Sequence, residues 1–286
     1  MSLTAVWCNG ALVEHLSLAP DERGLTLGDG VFDTLAVVKG KSLWRAPHLA
    51  RLAGAAEVIG IPFDLAAVEE AMAAVLARSA ADFEVLRLTL TRGAGGRGLA
   101  GETAAPTILV TLTALSPRLL FQPVPLATSR ITRNAASVTA RFKTTSYADA
   151  IAAAREAKDR GAEEALMLNT EGNVASASIA NVFLVKGSAL ITPGLDQAII
   201  PGTMRQMVLN VAGLVGYTTE ERAVTPQEVV AADGVFLTNS LRFIRPVSHV
   251  DGTALAQADL SRLETALCRF AEKQCGIDPR ALVEAS

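Results

Sequence analysis

The chain has 286 residues, half of them apolar (50%) and only 19% charged, which excludes a disordered or coiled-coil protein and gives room for one large or two ordinary domains. Its 26 Lys and Arg against 29 Asp and Glu leave a formal charge of −3, so no global basic field draws it to nucleic acid or an anionic membrane, and any anion must be held by a local site. No run of about 18 uninterrupted apolar residues is present to span a bilayer.

In chain order, Met1–Gly10 lacks both a basic n-region and a long apolar h-region, so the expectation is a soluble, cytoplasmic protein. AVWCNG and LVEHL read as a short hairpin, and GVFDTLAVVKGKSLW as two strands joined at Lys39, Gly40 and Lys41. After Pro47, HLARLAGAAEVIG has apolar residues at helical spacing, and Asp64–Ala81 repeats that pattern with Asp64 in N-cap position. EVLRLTLTRG and PTILVTLTAL are β-branched, alternating runs around a Gly-rich loop, predicting two more strands of the opening sheet. Three prolines interrupt Ser116–Pro125, which predicts a linker at 116–125 between a domain at 1–115 and another at 126–286. Beyond it come a strand-like ATSRITRN, a strand-like ASVTARF and the helix SYADAIAAAREAKDRG. Three strands follow, with turns at Glu171–Gly172 and at Lys186–Ser188. Pro201, Gly202 and Thr203 open a helix over MRQMVLNVAGLVG, GVFLTNS is a further strand, and Asp259–Cys275 closes as an amphipathic helix.

Four features could carry chemistry. Gly93, Gly95 and Gly98 fit the spacing of a dinucleotide fingerprint, but loop and strand follow where that fingerprint requires a helix. Arg92 and Arg97 in the same loop are either solvated or available to fork a carboxylate. The helix start at Gly202 leaves backbone N–H groups at the positive end of a macrodipole, so it is either an ordinary cap or a phosphate site. Lys143 stands just before a predicted helix with Arg141 two residues earlier; it is either a solvated lysine or an amine for carbonyl and Schiff-base chemistry. Cys8, Cys268 and Cys275 are scattered, as are His15, His48 and His249, which predicts neither a disulfide framework nor a metal site. Cys8, Cys268 and Cys275 read as small core residues, the last two lying seven apart on one face of the closing helix.

GLTLGDGVFDTL, HLARL, KTTSY, EALMLN, EGNV, ANVFLV, IPGTMRQ and FLTNSLR occur in that order. Together they resemble the class IV pyridoxal-phosphate enzymes of fold type IV, a family that includes branched-chain and D-amino-acid aminotransferases and 4-amino-4-deoxychorismate lyase. The resemblance runs from Gly10 to Val247. It implies an α/β (α+β) fold with a small N-terminal α/β domain, a larger C-terminal domain with a β-barrel-like core, and pyridoxal 5'-phosphate in the cleft. It also implies a homodimer. RGAGGRG and TNSLR look more like the lyases, whereas KTTSY is equally at home among the aminotransferases.

Carried over residue by residue, the resemblance makes Lys143 the Schiff-base lysine and proton shuttle. Arg51 becomes a phosphate ligand, Thr203 and Met204 donors of backbone amides to the same phosphate, and Ser240 a hydroxyl to it, with Leu241 beside it among the cofactor-binding positions. Tyr147 resembles the tyrosine that bonds the cofactor's phenolic oxygen, while Arg97 and Phe32 fall at substrate-binding positions. One position departs from the pattern: Ser176 stands where the family has a glutamate that keeps the pyridine nitrogen protonated, and Glu171, the nearest carboxylate, lies in a turn. A hydroxyl can hydrogen-bond that nitrogen but cannot balance a pyridinium charge, so the ring becomes a weaker electron sink. Three functions follow: a lyase releasing 4-aminobenzoate and pyruvate, an aminotransferase acting on a branched-chain or D-amino acid and a 2-oxo acid, or an altered paralogue without turnover.

Overall fold

A computed structural model describes residues 3–96, 98–101 and 105–284. The chain divides into two units: Met1–Pro117 with Lys143–Ser146 and Ala271–Ser286, and Arg118–Phe142 with Tyr147–Phe270. The sequence-based boundaries put 143–146 and 271–286 in the second domain.

The first unit is built on strands whose side chains alternate between two faces. It contains β1 (Leu3–Cys8), β2 (Ala11–Leu12), α1 (Arg23–Thr26), β3 (Gly30–Val38), β4 (Lys41–Ser42), α2 (Arg45–Val58), α3 (Leu65–Leu76), β5 (Phe83–Thr91) and β6 (Thr107–Ala114). The six strands form one antiparallel sheet in the order β2-β1-β6-β5-β3-β4. Helix α2 lies on β3, and α3 lies on β1 and β6. Asp64 caps α3 by accepting hydrogen bonds from the amides of Ala66 and Ala67, as its side-chain type predicts. Leu35 and Val37 of β3, Leu86 and Leu88 of β5 and Leu112 of β6 are fully buried, as are Met72 and Val75 of α3. Asp33, which shares a β3 face with Leu35 and Val37, is buried with them.

The second unit contains β7 (Val124–Thr128), α4 (Val138–Arg141), α5 (Ala148–Asp159), β8 (Glu164–Leu168), β9 (Val174–Ala177), β10 (Asn181–Lys186), β11 (Ala189–Pro193), α6 (Thr203–Ala212), β12 (Thr218–Arg222), α7 (Pro226–Val230), β13 (Gly234–Asn239), β14 (Phe243–Val250) and β15 (Thr253–Ala254). Helix α8 (Ser261–Cys275) belongs to this unit as far as Phe270, and α9 (Pro279–Glu284) belongs to the first. The strands run β12-β11-β10-β13-β14-β7-β8-β9, with β15 on β14. One apolar cluster draws on Val124 and Leu126, Leu166, Val174 and Ala177, Val182 and Leu184, Ile191, Val235 and Leu237, and Val247 and Val250. Seven strands sharing one interior make this a curled, barrel-like sheet. On its outer face Phe183 and Phe236 stack at 5.0 Å, and α6 lies along β13.

Several expectations are corrected. ASVTARF forms the short helix α4 instead of a strand, because the Ser137–Ala140 turn closes its own hydrogen bonds. ATSRITRN is strand only to Thr128; Arg133 makes a single bridge to Asn169. The meander has four strands where three were expected, since a tight turn at Ser178–Ala180, closed by the Ala177 amide on the Ala180 carbonyl, cuts the second run in two. Strand β12 (TTEER) was missed because it is mostly exposed and polar and joins β11 as a parallel edge.

Candidate active site

In the first unit the residues around Lys143 are assembled by the start of β3. The amide of Phe32 donates to the Lys143 carbonyl at 2.8 Å, the amide of Thr145 to Gly30 at 2.9 Å, and the Thr145 hydroxyl to Gly28 at 2.7 Å. The KTTS segment is thereby pinned as a short extension beside β3. Gly28 has φ +64°, and a Cβ there would lie 2.7 Å from Ser146 Oγ, so glycine is required by both conformation and space. Lys143 Nζ stands 4.5 Å from the centroid of the Phe32 ring, and Arg87 Cζ stands 3.7 Å from it. The structure therefore brings Phe32 and Lys143 together, and Arg87, which the sequence reading does not single out, joins them. Its signal is an arginine in the middle of a strand whose other residues, Glu84 apart, are apolar or threonine.

On the opposite face of β3, Arg51 is held by a carboxylate. Its Nε donates to Asp33 Oδ2 at 2.9 Å and its Nη2 to Oδ1 at 2.7 Å, while His48 Nδ1 bonds Oδ1 at 2.9 Å. Burial pushes the Asp33 carboxyl up, but the Arg51 charge and the His48 hydrogen bond outweigh it and hold the group well below the usual carboxylate range. Burial pushes His48 down despite Asp33. An ionised carboxylate only accepts, so His48 Nδ1 carries the proton, and its 3.3 Å approach to Arg51 Nη2 is a contact between two donors. Read from sequence, His48 was one of three scattered histidines, and its pairing appears only once α2 lies on β3.

The Gly-rich loop is tied down by buried Arg23, which donates to Asp29 at 2.9 Å and to the carbonyls of Gly98 and Leu99 at 2.8 Å each. Arg92 does not reach into a site; it donates to Asp29 and to the carbonyls of Gly60 and Ile59. No helix follows Gly98 among the described residues before β6. Arg97 lies outside the described residues.

In the second unit a polar group gathers at the start of α6. Gly202 is the N-cap and supplies no side-chain cap. Thr203 and Met204 are buried in the first turn. Asn181 donates to the Ile200 carbonyl at 3.0 Å and faces Thr238 across β10 and β13. The Thr238 hydroxyl is buried without a hydrogen-bond partner. Ser240 is buried in the turn after β13. The amides of Leu241 and Arg242 both donate to Asn239 Oδ1, at 3.0 and 2.8 Å, so that turn is fixed by its own asparagine. Tyr147 is the N-cap of α5. Ser176 pairs with Met167, which packs with Ala153 and Ala157 of α5, and its hydroxyl is buried without a partner. Glu171 is exposed in its turn. Among the described residues no cluster of His, Cys, Asp and Glu could hold a metal, and no helix is long and apolar enough to cross a membrane.

The model of the class IV amino-transferases matches residues 30–250, and the chain belongs to that family of pyridoxal-phosphate enzymes. It is 27% identical over 256 residues to a putative branched-chain-amino-acid aminotransferase of Methanocaldococcus jannaschii, covering 87% of this chain and 89% of that one. It is 28% identical over 251 residues to an aminodeoxychorismate lyase of Vibrio harveyi, covering 85% and 90%. The fold matches the solved branched-chain aminotransferase of the archaeon Thermoproteus uzoniensis, with a TM-score of 0.86, 25% identity and coverage of 96% of each chain. A second branched-chain aminotransferase of this fold, with a TM-score of 0.87, was solved in complex with N-(5'-phosphopyridoxyl)-L-glutamate. Lyases and aminotransferases stand at similar distances, so the likeness defines the enzyme class and not the reaction.

Proposed function

We propose that the protein is a 4-amino-4-deoxychorismate lyase, forming 4-aminobenzoate and pyruvate. The observation that carries this reading is Ser176, a buried hydroxyl with no partner and no carboxylate in the position that the family resemblance assigns to the cofactor's ring nitrogen. The residues present fit pyridoxal phosphate: two orphaned buried hydroxyls, Ser176 and Thr238, await a polar group, and α6 begins with a residue that has no side chain to occupy its N-terminus.

When bound, pyridoxal phosphate supplies an aldehyde that captures an amine and a ring that draws electrons from the captured substrate. In this reading Lys143 binds it and then carries the proton. It takes the proton from the amino-bearing ring carbon; the electron pair left behind forms the third double bond of the ring as the adjacent C–O bond breaks, and the three-carbon enolate so released takes the proton on carbon and leaves as pyruvate. By the family resemblance Arg51, Thr203, Met204 and Ser240 are assigned to the phosphate, Leu241 to the cofactor-binding positions and Tyr147 to the phenolic oxygen. Phe32 and Arg87 lie beside Lys143, where a guanidinium can receive a substrate carboxylate. Arg97 is assigned to a second carboxylate contact. Ser176 offers the ring nitrogen a neutral partner, which weakens the electron sink that transamination needs most. The same reading makes the enzyme a cytoplasmic homodimer acting in folate biosynthesis.

The test supplies the purified protein with pyridoxal phosphate and 4-amino-4-deoxychorismate and follows 4-aminobenzoate and pyruvate. Equal amounts of both, lost in Lys143→Ala, are expected. Amino-group transfer from branched-chain or D-amino acids to a 2-oxo acid, without 4-aminobenzoate formation, would replace the lyase reading by the aminotransferase one.

A further inference from the structure

We propose that Asp33 and His48 are positioning residues that hold the Arg51 guanidinium in one orientation and so give the enzyme its selectivity for a phosphorylated cofactor. The inference rests on the assignment of Arg51 to the cofactor phosphate made above.

His48 and Arg51 lie three residues apart on α2, hence on one helix face, and both reach the same carboxylate on the strand beneath. Asp33 and His48 are fully buried. The Asp33 carboxylate accepts from Arg51 Nε and Nη2, from His48 Nδ1 and from the Thr34 amide at 2.7 Å, which leaves it no freedom to turn. A guanidinium is planar, so bonds to Nε and Nη2 fix its plane and direct its opposite edge away from Asp33. A free arginine side chain carries substantial rotamer entropy, and ordering it during folding removes that cost from the binding step. Stability alone is a weak reason for such a cluster, because a buried ion pair is often no more stabilising than apolar residues of the same shape.

Affinities of the full-length apoprotein for pyridoxal phosphate and for pyridoxal, measured by fluorescence and visible absorption, give a ratio that isolates the phosphate contribution. General loosening of the fold weakens both ligands and leaves the ratio unmoved. Asp33→Asn is expected to lower the ratio at least tenfold through pyridoxal phosphate alone, with pyridoxal affinity held within twofold. His48→Leu is expected to lower it about threefold, as loss of one neutral hydrogen bond implies, and His48→Asn, which restores a donor near Nδ1, to recover it. These two variants carry the test if Asp33→Asn does not fold. Arg51→Ala serves as the reference. If Arg51→Ala lowers the ratio while the Asp33 and His48 variants leave it within twofold, the positioning role is overturned and the phosphate assignment stands. A ratio raised by Asp33→Asn would show that charge outweighs orientation and also overturns it. If Arg51→Ala itself leaves the ratio unchanged, the phosphate assignment fails and this inference with it.

Discussion

Replacing Gly202 by alanine tests whether the start of α6 is shaped by contact with β10. At φ −68° and ψ 136° alanine is conformationally at ease, so any loss must come from space. The added Cβ would lie 2.0 Å from Asn181 Oδ1 and 3.2 Å from its Cγ. Asn181 is buried and donates to the Ile200 carbonyl, so its amide cannot turn aside without breaking that bond. Overpacking costs roughly 1–3 kcal/mol and the displaced hydrogen bond about 1 kcal/mol, offset by about 0.4–1 kcal/mol from the stiffer unfolded chain. The net is a loss of about 2 kcal/mol, or on the order of 4–8 °C in Tm for a chain of this size. Calorimetric melts of Gly202→Ala, Asn181→Ala and the double variant give the interaction directly. The double variant is expected to lose less than the sum of the single losses, because removing the Asn181 amide vacates the space the new methyl needs. Strict additivity, or an unchanged Tm in Gly202→Ala, would refute the reasoning.

Three further perturbations have definite signs. Burial raises the Glu164 carboxyl above its ordinary range, although Ser178 donates to it. The native state therefore keeps a proton that the unfolded state loses, and stability present below the unfolded value declines as pH rises toward the raised one; Glu164→Gln should flatten that decline in urea titrations between pH 4 and 8. Arg23→Met removes three buried donors, but Asp29 keeps Arg92 at 2.8 Å, so the expected loss is about 2 kcal/mol, with faster amide hydrogen exchange at residues 98–101. Thr225→Ala removes one half of the capping box with Glu228 at the start of α7, and a loss of about 1 kcal/mol is expected in chemical denaturation.

What could be read from residues alone was what near neighbours decide. Asp64 caps its helix, Gly202 and Thr203 open α6, and the Lys39–Gly40–Lys41 turn joins two strands, each through interactions closed within a few positions. Lys143 stands out because its residue type and its place before a helix suit amine chemistry, and the ordered motifs assign Arg51, Tyr147, Thr203 and Ser240 to the same cofactor by resemblance alone. The tertiary structure alone decided which side chains meet. Asp33, His48 and Arg51 are separated by up to 18 residues and become one cluster only when α2 packs on β3. Arg87 reaches Phe32 through the pairing of β5 with β3, and the KTTS segment reaches Gly28 and Gly30 across more than 110 residues of chain. Ser176 can be recognised as a departure by position, but that its hydroxyl is buried and without a partner follows from the pairing of β9 with β8 and its contacts with β10 and β11. Local hydrogen bonds and periodicity are encoded in adjacent residues, whereas burial and charge pairing depend on which surfaces the fold brings together, and those surfaces come from distant parts of the chain.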